Sequence, residues 1–551
     1  MRRLSAVGAL APVQASERIE ALDILRGFAL FGILVVNITH YLDWFTPYAS
    51  RADEAAEWLV GTFAVGKFYP LFSFLFGVGF AIQLTRAEAR QTPFLGVYLR
   101  RLTVLFLIGV AFFVLVESEP PLLWYAVLGA PLLLFRNRPP RALLVWAVVF
   151  LALTPVMSPV QTAARQATHR VARYQADQVL LEEATITGDY RAMVAVRARR
   201  LFLPDFIAYW PNVFVMFLLG LYAYRRGVFQ DLETHWRFVL QALCWGGGGG
   251  VAVTFAVRSL LGPTIRATPW LGYLPIREIG GTALTISYVA AVMLLLRWGI
   301  ARRLLTLLGW TGRMGLTNYV LHYLIVTTIF FGYGLGLYYG LSPSMGPVFT
   351  VLITLVPIPL SVWWLRRFRF GPLEWVWRSL TYGRRQPMLI EPAERSSARV
   401  PYLRATAAAI AVLTTGVAFA VWEPAERRRG DEAEIAKLEG EWRSALLSAD
   451  TAALGRIATT NYRARPGNPL GITNLPQLME SISSRTLRFD AITPGRVSVV
   501  AHENTASASG LEAQVAWLRG ERIGGERRFV HWYVKREGRW RLAYSFLAQV
   551  S

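Results

Sequence analysis

The residues best able to do chemistry are polar side chains set inside long apolar runs. In the first run, Asp23, Arg26, Asn37 and His40 fall within an arc of roughly 100° when the chain is wound as an α-helix. At 1.5 Å per residue, Asn37 and His40 lie about 16 and 21 Å beyond Arg26. Histidine can accept a proton and asparagine can donate to a developing negative charge, whereas an unused charge in lipid is costly. We therefore interpret this stripe as a candidate site.

Lysine is rare in this chain. Lys67, Lys437 and Lys535 are the three lysines among 58 basic residues, and Lys67 lies inside the second apolar run. Its ammonium group needs a carboxylate, backbone carbonyls or a ligand anion as a partner. Asp23 and Glu57 are possible carboxylate partners.

A second polar face is formed by Arg313, Thr317, Asn318 and His322, which recur at helical spacing in a later run. We expect Asn318 near the middle of the membrane and His322 in its outer half, at the depth of the first histidine. The hypothesis is one shared polar site, and its alternative is a purely structural polar network. The proposed cluster consists of Arg26, Asn37, His40, Lys67, Asn318 and His322.

The composition identifies the class of protein that must position these residues. Of 551 residues, 54% are apolar and 17% are charged, with a mean hydropathy of +0.36. Soluble domains carry about 25% charged residues, so an ordinary cytosolic enzyme is excluded. The net charge of +22 comes from basic residues beside apolar runs, which indicates membrane topology rather than nucleic-acid binding. Cys244 is the single cysteine, so no disulfide framework or thiolate metal site is expected.

The apolar runs are long enough to cross a bilayer about 30 Å thick. Eleven spans are predicted, at about 21–43, 57–84, 95–117, 122–135, 141–158, 203–224, 236–261, 277–298, 304–331, 347–365 and 404–422. Arginines alternate between the connecting loops, and the positive-inside rule then predicts a cytoplasmic N-terminus and an extracytoplasmic C-terminus. The partners expected from this organisation are the lipid bilayer and a small-molecule substrate.

The predicted organisation has five parts. A cytoplasmic tail, 1–20, precedes a polytopic all-α membrane domain of about ten helices, 21–385. A proline-containing linker, 386–403, leads into a transmembrane helix at 404–422, and residues 431–551 form an extracytoplasmic soluble domain. An external segment at about 159–202 is predicted to contain one or two surface helices.

The C-terminal domain is predicted to be α+β. Ile435, Leu438, Trp442 and Leu446 have helical spacing, and residues 527–549 alternate around a Glu-Gly turn as in a β-hairpin. This region resembles the SnoaL-like, nuclear transport factor 2-like cone fold, a superfamily of enzymes and ligand binders. The candidate pocket residues are Trp442, Tyr462 and His531, although an isolated histidine on a strand is more often structural.

Four motifs of the membrane domain carry a family resemblance. They are RIEALDILRGFALFGILVVNI (18–38), GKFYPLFSFLFGVGFAIQL (66–84), GRMGLTNYVL (312–321) and RFGPLEWVWRSLTYG (369–383). Together they resemble the YeiB family of bacterial integral membrane proteins, which implies location in the cytoplasmic (inner) membrane.

The first motif also resembles the opening helix of transmembrane acyltransferases, including the acyltransferase-3 family and lysosomal heparan glucosaminide acetyltransferases. Arg26 matches the arginine of the acyltransferase-3 motif, but Asn37 occupies its histidine position. Phe112 and Pro120 stand where the YeiB pattern has a histidine and an aspartate. His40 and His322 are candidates to replace the missing acid–base groups.

The resemblance implies transfer of an acyl group from a cytoplasmic thioester, such as acyl-CoA, to an extracytoplasmic acceptor, with no metal. His40, His322, Asn37 and Asn318 are then the candidate catalytic residues. The candidate substrate- or cofactor-binding residues are Arg26, Lys67, Asp23 and Arg313. Two alternatives remain open. One is a transporter of a small anionic or polar solute, and the other is a ligand sensor that acts through the C-terminal domain.

Overall fold

The computed structural model describes ten stretches of the chain. These are residues 18–42, 51–117, 121–167, 170–201, 210–267, 275–338, 342–390, 425–464, 470–502 and 505–549. Pro120, most of the predicted linker and the predicted span 404–422 lie outside the described residues.

The described part of the membrane domain is helical, apart from its turns and an isolated antiparallel bridge between Phe368 and Leu389. A short 3-10 helix, Pro131–Phe135, follows the fifth α-helix. The α-helices are α1 (Glu20–Thr39), α2 (Arg51–Phe63), α3 (Phe68–Ala89), α4 (Phe94–Leu115), α5 (Pro121–Gly129), α6 (Pro140–Ala167), α7 (Arg170–Thr187), α8 (Tyr190–Arg200), α9 (Trp210–Arg225), α10 (Leu232–Ala267), α11 (Pro275–Leu295), α12 (Gly299–Arg313), α13 (Gly315–Phe330), α14 (Met345–Leu355), α15 (Pro357–Leu365) and α16 (Pro372–Tyr382).

Apolar helices long enough to cross a membrane confirm the general architecture. Among the described residues five segments meet this condition, or six if the bent pair α11 and α12 is counted as one span. That pair bends by 119°. The predicted count of eleven spans therefore stays a prediction. Shorter apolar helices, Pro140–Thr154 and Gly315–Phe330, lie in two further predicted spans.

Four predicted spans are interrupted in the structure. The run at 122–135 is divided between α5 and the 3-10 helix, and the run at 347–365 is divided at Val356 between α14 and α15. The run predicted at 304–331 is divided at Met314, where α12 ends and α13 begins. The run predicted at 57–84 is divided between α2 and α3 by a turn that contains Gly66 at φ +81°. An apolar run predicts burial in lipid or protein, but it does not reveal a break that tertiary contacts stabilise.

Helices α1 and α12 approach each other at two glycines. A Cβ at Gly312 would lie 1.8 Å from the backbone oxygen of Asp23, and a Cβ at Gly27 would lie 1.9 Å from that of Leu308. No larger residue fits at either position without separating the helices. This close contact brings Asp23 and Arg26, at the start of α1, to the end of α12 that carries Arg313.

The C-terminal domain packs three helices against one sheet, as the α+β prediction requires. Its helices are α17 (Ala425–Ser448), α18 (Thr451–Ile457) and α19 (Leu475–Ser483). Its strands are β1 (Ala458–Ala464), β2 (Leu487–His502), β3 (Thr505–Leu518), β4 (Glu521–Arg536) and β5 (Arg539–Gln549). The strand order is β1-β5-β4-β3-β2, with β1 parallel to β5 and the other pairs antiparallel. The predicted hairpin is confirmed, since β4 and β5 pair around Glu537 and Gly538.

The two faces of β4 have different partners because side chains alternate along a strand. Phe529 and Tyr533 are fully buried in the core of the C-terminal domain. Val530 and Trp532 point the other way and pack with Val179 of α7. The sheet therefore contacts the membrane domain through α7, where an ion pair also joins Arg528 to Glu183.

Candidate functional site

The N-terminal end of α1 carries an ion pair. Arg26 Nη1 donates to Asp23 Oδ1 at 2.7 Å, one turn away on the same helix. Arg313, at the end of α12, interacts electrostatically with Asp23, and its guanidinium lies 4.8 Å from the centre of the Trp310 ring. The structure thus brings Asp23, Arg26 and Arg313 together.

Further arginines surround this ion pair. Arg101 of α4 interacts electrostatically with Arg26, and Arg378 of α16 interacts with Arg18 and Arg101. The Arg101 guanidinium lies 4.5 Å from the centre of the Trp377 ring. The arginine cluster is defined here as Arg18, Arg26, Arg101, Arg313 and Arg378. From the sequence, Arg101 was interpreted only as a sign of topology. Arg378 lies within a family motif but had no predicted role.

The C-terminal end of α1 carries a second group of polar contacts. Asn37 Nδ2 donates to the Tyr323 hydroxyl at 2.7 Å, and the Tyr41 hydroxyl donates to Glu117 Oε2 at 2.5 Å. The centre of the Phe112 ring lies 5.1 Å from the centre of the Tyr323 ring. We call Asn37, Tyr41, Phe112, Glu117 and Tyr323 the distal site.

Sequence reasoning missed Tyr41, Tyr323 and Glu117 of the distal site, and the carboxyl group among them belongs to Glu117. As the last residue of the predicted span 95–117 it indicated only the outer end of that span, yet its side chain is buried. The signal in the sequence was a carboxylate at the end of a predicted span, five residues after Phe112, where the family pattern has a histidine. Arg197 of α8 adds a buried positive charge that interacts with Tyr41.

Asn318 and His322 lie on a different face of α13. Asn318 Nδ2 donates to the Thr311 backbone oxygen at 2.9 Å and to Ser361 Oγ at 2.8 Å. His322, one turn later, is buried, and its Nε2 has no hydrogen-bond partner. Asn318 therefore faces α12 and α15, while Tyr323 of the same helix meets α1.

His40 and Lys67 occupy separate positions. The His40 side chain is exposed where α1 ends, and it forms no hydrogen bond with His322. Lys67 is buried, and its Nζ donates to the backbone oxygens of Val65 at 2.8 Å and Gly61 at 3.3 Å. Backbone carbonyls, one of the three expected kinds of partner, therefore bind this ammonium group.

The C-terminal domain contains a cavity with an empty volume of about 510 Å³, including its mouth. Trp442, Tyr462 and His531 all line it. Trp442 and Tyr462 place their ring centres 5.8 Å apart. His531 Nδ1 lies 2.8 Å from Glu439 Oε1, which links strand β4 to helix α17.

Glu439 is the centre of a buried polar network that sequence reasoning missed. The Tyr533 hydroxyl donates to Glu439 Oε1 at 2.8 Å, and Arg443 Nη2 donates to Oε2 at 3.2 Å. Burial raises the pKa of Glu439, but His531, Tyr533 and Arg443 outweigh burial and hold that pKa below its usual value. The available signal was a charged residue at 439 within the apolar helical spacing that begins at Ile435.

Glu512, which lines the cavity, has a pKa shifted in the opposite direction from that of Glu439. Burial raises the pKa of Glu512, which lies on β3 opposite Arg527 of β4. Glu512 also accepts a hydrogen bond from Gln514, its neighbour on the same face of the strand. Across all the residues that the structure describes, no group of three or more histidine, cysteine or acidic side chains forms a metal site.

Two family models match the membrane domain. The model described as heparan-alpha-glucosaminide N-acetyltransferase, catalytic, matches residues 18–242, and a domain described as a protein of unknown function, DUF418, matches residues 223–384. YxaH of Bacillus subtilis (strain 168) is 34% identical over 410 residues, covering 69% of this chain and 98% of that protein. YeiB of Escherichia coli (strain K12) is 30% identical over 393 residues, covering 66% of this chain and 96% of that protein.

Solved structures resemble the C-terminal domain. An NTF2-like protein of unknown function in nutrient uptake from Rhodospirillum rubrum is 17% identical with a TM-score of 0.20, covering 21% of this chain and 98% of that one. A putative calcium/calmodulin-dependent kinase II association domain from Exiguobacterium sibiricum is 13% identical with a TM-score of 0.21, covering 24% of this chain and 98% of that one.

Proposed function

We propose that the membrane domain of this chain, which belongs to the same family of proteins as YxaH of Bacillus subtilis, transfers an acyl group. The donor is a cytoplasmic thioester, and the acceptor is a hydroxyl or amine on the opposite side of the membrane. The observation that carries the proposal is the acetyltransferase catalytic model over residues 18–242. That match includes the N-terminal end of α1. It also includes every residue of the distal site except Tyr323.

The reaction sets three requirements. The acceptor oxygen or nitrogen attacks the thioester carbonyl carbon, the carbon–sulfur bond breaks, and the thiol leaves. A base must accept the proton of the acceptor, and hydrogen-bond donors must stabilise the oxyanion that develops. A third group of side chains must hold the donor in reach. Both ends of α1 carry candidate side chains, separated by about 16 Å along the helix from Arg26 to Asn37.

The arginine cluster is the proposed binding site for the donor. Its five guanidinium groups face two nearby carboxylates, Asp23 and Glu374, so an excess of positive charge remains. Guanidinium groups bind phosphate oxygens in bidentate geometry, which suits the phosphates of acyl-CoA. Arginines that serve topology alone lie in solvated loops, whereas Arg101 and Arg378 pack on the aromatic rings of Trp377 and Phe370.

The distal site is the proposed location of proton transfer. We assign the base to Glu117 or to His40, which is next to Tyr41 in the chain and lies at the same end of α1. Asn37 and Tyr323 are the proposed donors to the oxyanion, because their side chains already meet at 2.7 Å. His322 remains a further candidate base, since its ring is buried and its Nε2 is without a partner.

The test uses the purified full chain in nanodiscs with radiolabelled acetyl-CoA, and scores bound label and transferred label separately. We expect Arg378→Gln to weaken binding of the donor and Glu117→Gln to abolish transfer while binding persists. Arg237→Gln, an exposed arginine of α10 outside the cluster, is the matched control. Failure of the parent protein to bind label above background would contradict the proposal. Movement of intact solute across the membrane without transfer would favour the transporter.

A further inference from the structure

The outward surface of α16 is apolar, whereas its inward surface is polar. Glu374 is buried, and its Oε1 accepts hydrogen bonds from the backbone nitrogens of Leu316 at 2.6 Å and Thr317 at 3.0 Å. Val376 and Leu380 lie one turn apart on the other side of the helix, and Leu380 is 54% exposed. A helix that faces water shows the reverse arrangement. The exposed face of α16 therefore suits hydrocarbon rather than water.

The segment after α16 folds back against this helix. Gly383, at φ +64°, follows the last residue of α16 and turns the chain. The backbone oxygen of Gln386 then accepts a hydrogen bond from Trp375 Nε1 at 2.8 Å, and its backbone nitrogen donates to Ser379 Oγ at 3.2 Å. The two residues between Gly383 and Gln386 are both arginines, so these contacts hold them beside the end of α16.

Three exposed arginines lie around the C-terminal end of α16. Arg384 and Arg385 follow Gly383 directly in the chain, and a Cβ at Gly383 would lie 2.7 Å from Nη1 of Arg100 on α4. Six arginines but only one acidic residue, Glu374, occur between positions 366 and 390, and Glu374 is buried. The exposed guanidinium groups therefore give this end of the helix a local excess of positive charge.

Tryptophan rings indicate the depth of this region in a bilayer. Trp363 is 40% exposed, and the Arg367 guanidinium lies 4.7 Å from its ring centre. The Arg385 guanidinium lies 5.7 Å from the centre of the Trp375 ring. Tryptophans are enriched where the hydrocarbon core meets the headgroups, and arginines near helix ends extend to the same level. The apolar face of α16 and the arginines beside it therefore match the two parts of a phospholipid, its acyl chains and its phosphate.

We propose that the α16 surface, defined as Val376, Leu380, Arg100, Arg384 and Arg385, binds a phospholipid whose headgroup has a net negative charge. The acyl chains cover Val376 and Leu380, and the guanidinium groups bind the phosphate oxygens. A zwitterionic headgroup carries its own ammonium group, which the three arginines repel, so a lipid such as phosphatidylglycerol is preferred. The site is independent of the proposed acyl transfer, because none of its residues belongs to the arginine cluster or to the distal site.

Phosphatidylglycerol and phosphatidylcholine with the same acyl chains are suitable probes, because they differ only in the headgroup. Native mass spectrometry of the full chain in detergent, titrated with either lipid, measures the affinity of the first bound lipid. We expect phosphatidylglycerol to bind at least roughly tenfold more tightly, since several arginines attract one anionic headgroup. An excess of soluble glycerol phosphate should leave the lipid bound, because that anion has no acyl chains to cover the apolar face of α16.

Two variants test the two parts of the α16 surface. The double variant Arg384→Gln and Arg385→Gln should remove the preference for phosphatidylglycerol, and Leu380→Gln should weaken the binding of both lipids. Arg237→Gln, an exposed arginine beside Trp236 on α10, is the matched control and should bind lipid as the parent does.

Three results would overturn the proposal. They are equal binding of the two lipids by the parent, displacement of the lipid by glycerol phosphate, and binding by either α16 variant that equals that of the parent. Thermal unfolding in detergent confirms that each variant is folded.

Discussion

The Tyr41 hydroxyl donates a 2.5 Å hydrogen bond to Glu117 Oε2, and both side chains are buried. The two residues are 76 positions apart in the chain, and their contact joins the end of α1 to the end of α4. Asn37, one helical turn before Tyr41, makes the corresponding contact with Tyr323 of α13. The distal site is thus held between three helices, and each of its polar groups can be tested separately.

Glu117→Gln is expected to lower acyl transfer by at least about 100-fold, because an amide cannot accept the proton of the acceptor. Binding of the thioester should persist, since the arginine cluster lies at the other end of α1. Tyr41→Phe should lower the free energy of unfolding by about 1–3 kcal/mol, because it leaves an acceptor on Glu117 with one donor fewer. Glu54→Gln, an exposed carboxylate of α2, is the control for charge. Full transfer by Glu117→Gln would exclude this residue as the base.

His322→Leu distinguishes a catalytic from a structural histidine. Its Nε2 makes no hydrogen bond, so replacement by an apolar side chain of similar size should change the free energy of unfolding little. If His322 is the base, transfer is lost while thermal unfolding in detergent stays near that of the parent. The parallel His40→Ala variant tests the exposed histidine, with His235→Ala as control. Retained transfer together with a large loss of stability would identify a structural role for either histidine.

The topology prediction depends on the alternation of arginines and the odd number of predicted spans. A reporter fused after Ser551 should be active only outside the cytoplasm, and one inserted near Arg138 should behave as cytoplasmic. Alkaline phosphatase and green fluorescent protein fusions measure the two locations. Activity of both fusions on one side would exclude the eleven-span arrangement.

A fragment of residues 425–551 is expected to fold alone, because the core beneath the sheet is built within that fragment. Its far-ultraviolet spectrum and a single cooperative unfolding transition would show this. Removal of α7 exposes Val530, Trp532 and Phe546, so we expect the fragment to associate at high concentration. The Trp532→Gln variant should reduce that association. An unfolded spectrum would contradict the predicted domain boundary near residue 430.

Glu439 makes the stability of this fragment depend on pH. Its folded pKa lies below the usual value, so its contribution is complete above the unfolded pKa and is lost as the pH falls through the folded pKa. Glu439→Gln should therefore flatten the acid side of a plot of unfolding free energy against pH. At neutral pH the variant should lose about 3–5 kcal/mol, because buried His531 and Arg443 lose their partner. Denaturant titrations at several pH values provide the measurement, and exposed Glu441→Gln is the control. An unchanged acid limb would contradict this role.

Local patterns predicted much of the architecture. Apolar runs identified the five or six described segments that are long and apolar enough to cross a membrane, and alternation around Glu537 and Gly538 identified the β4–β5 hairpin. Both patterns involve residues close together in the chain. The breaks at Met314 and near Gly66 were not predicted. They depend on what each half of the run packs against, and an apolar run has the same appearance in either case.

For the candidate sites, too, the sequence and the tertiary structure each supplied a different part of the description. The sequence by itself determined which residue types are unusual in their surroundings: Arg26, Asn37 and Lys67 within apolar runs, and His531 on a strand. Only the tertiary structure decided which partner each one meets. Asn37 and Tyr323 are 286 positions apart, and Glu439 and His531 are 92 apart. A hydrogen bond requires two atoms within about 3 Å, and the packing of distant helices and strands fixes that distance.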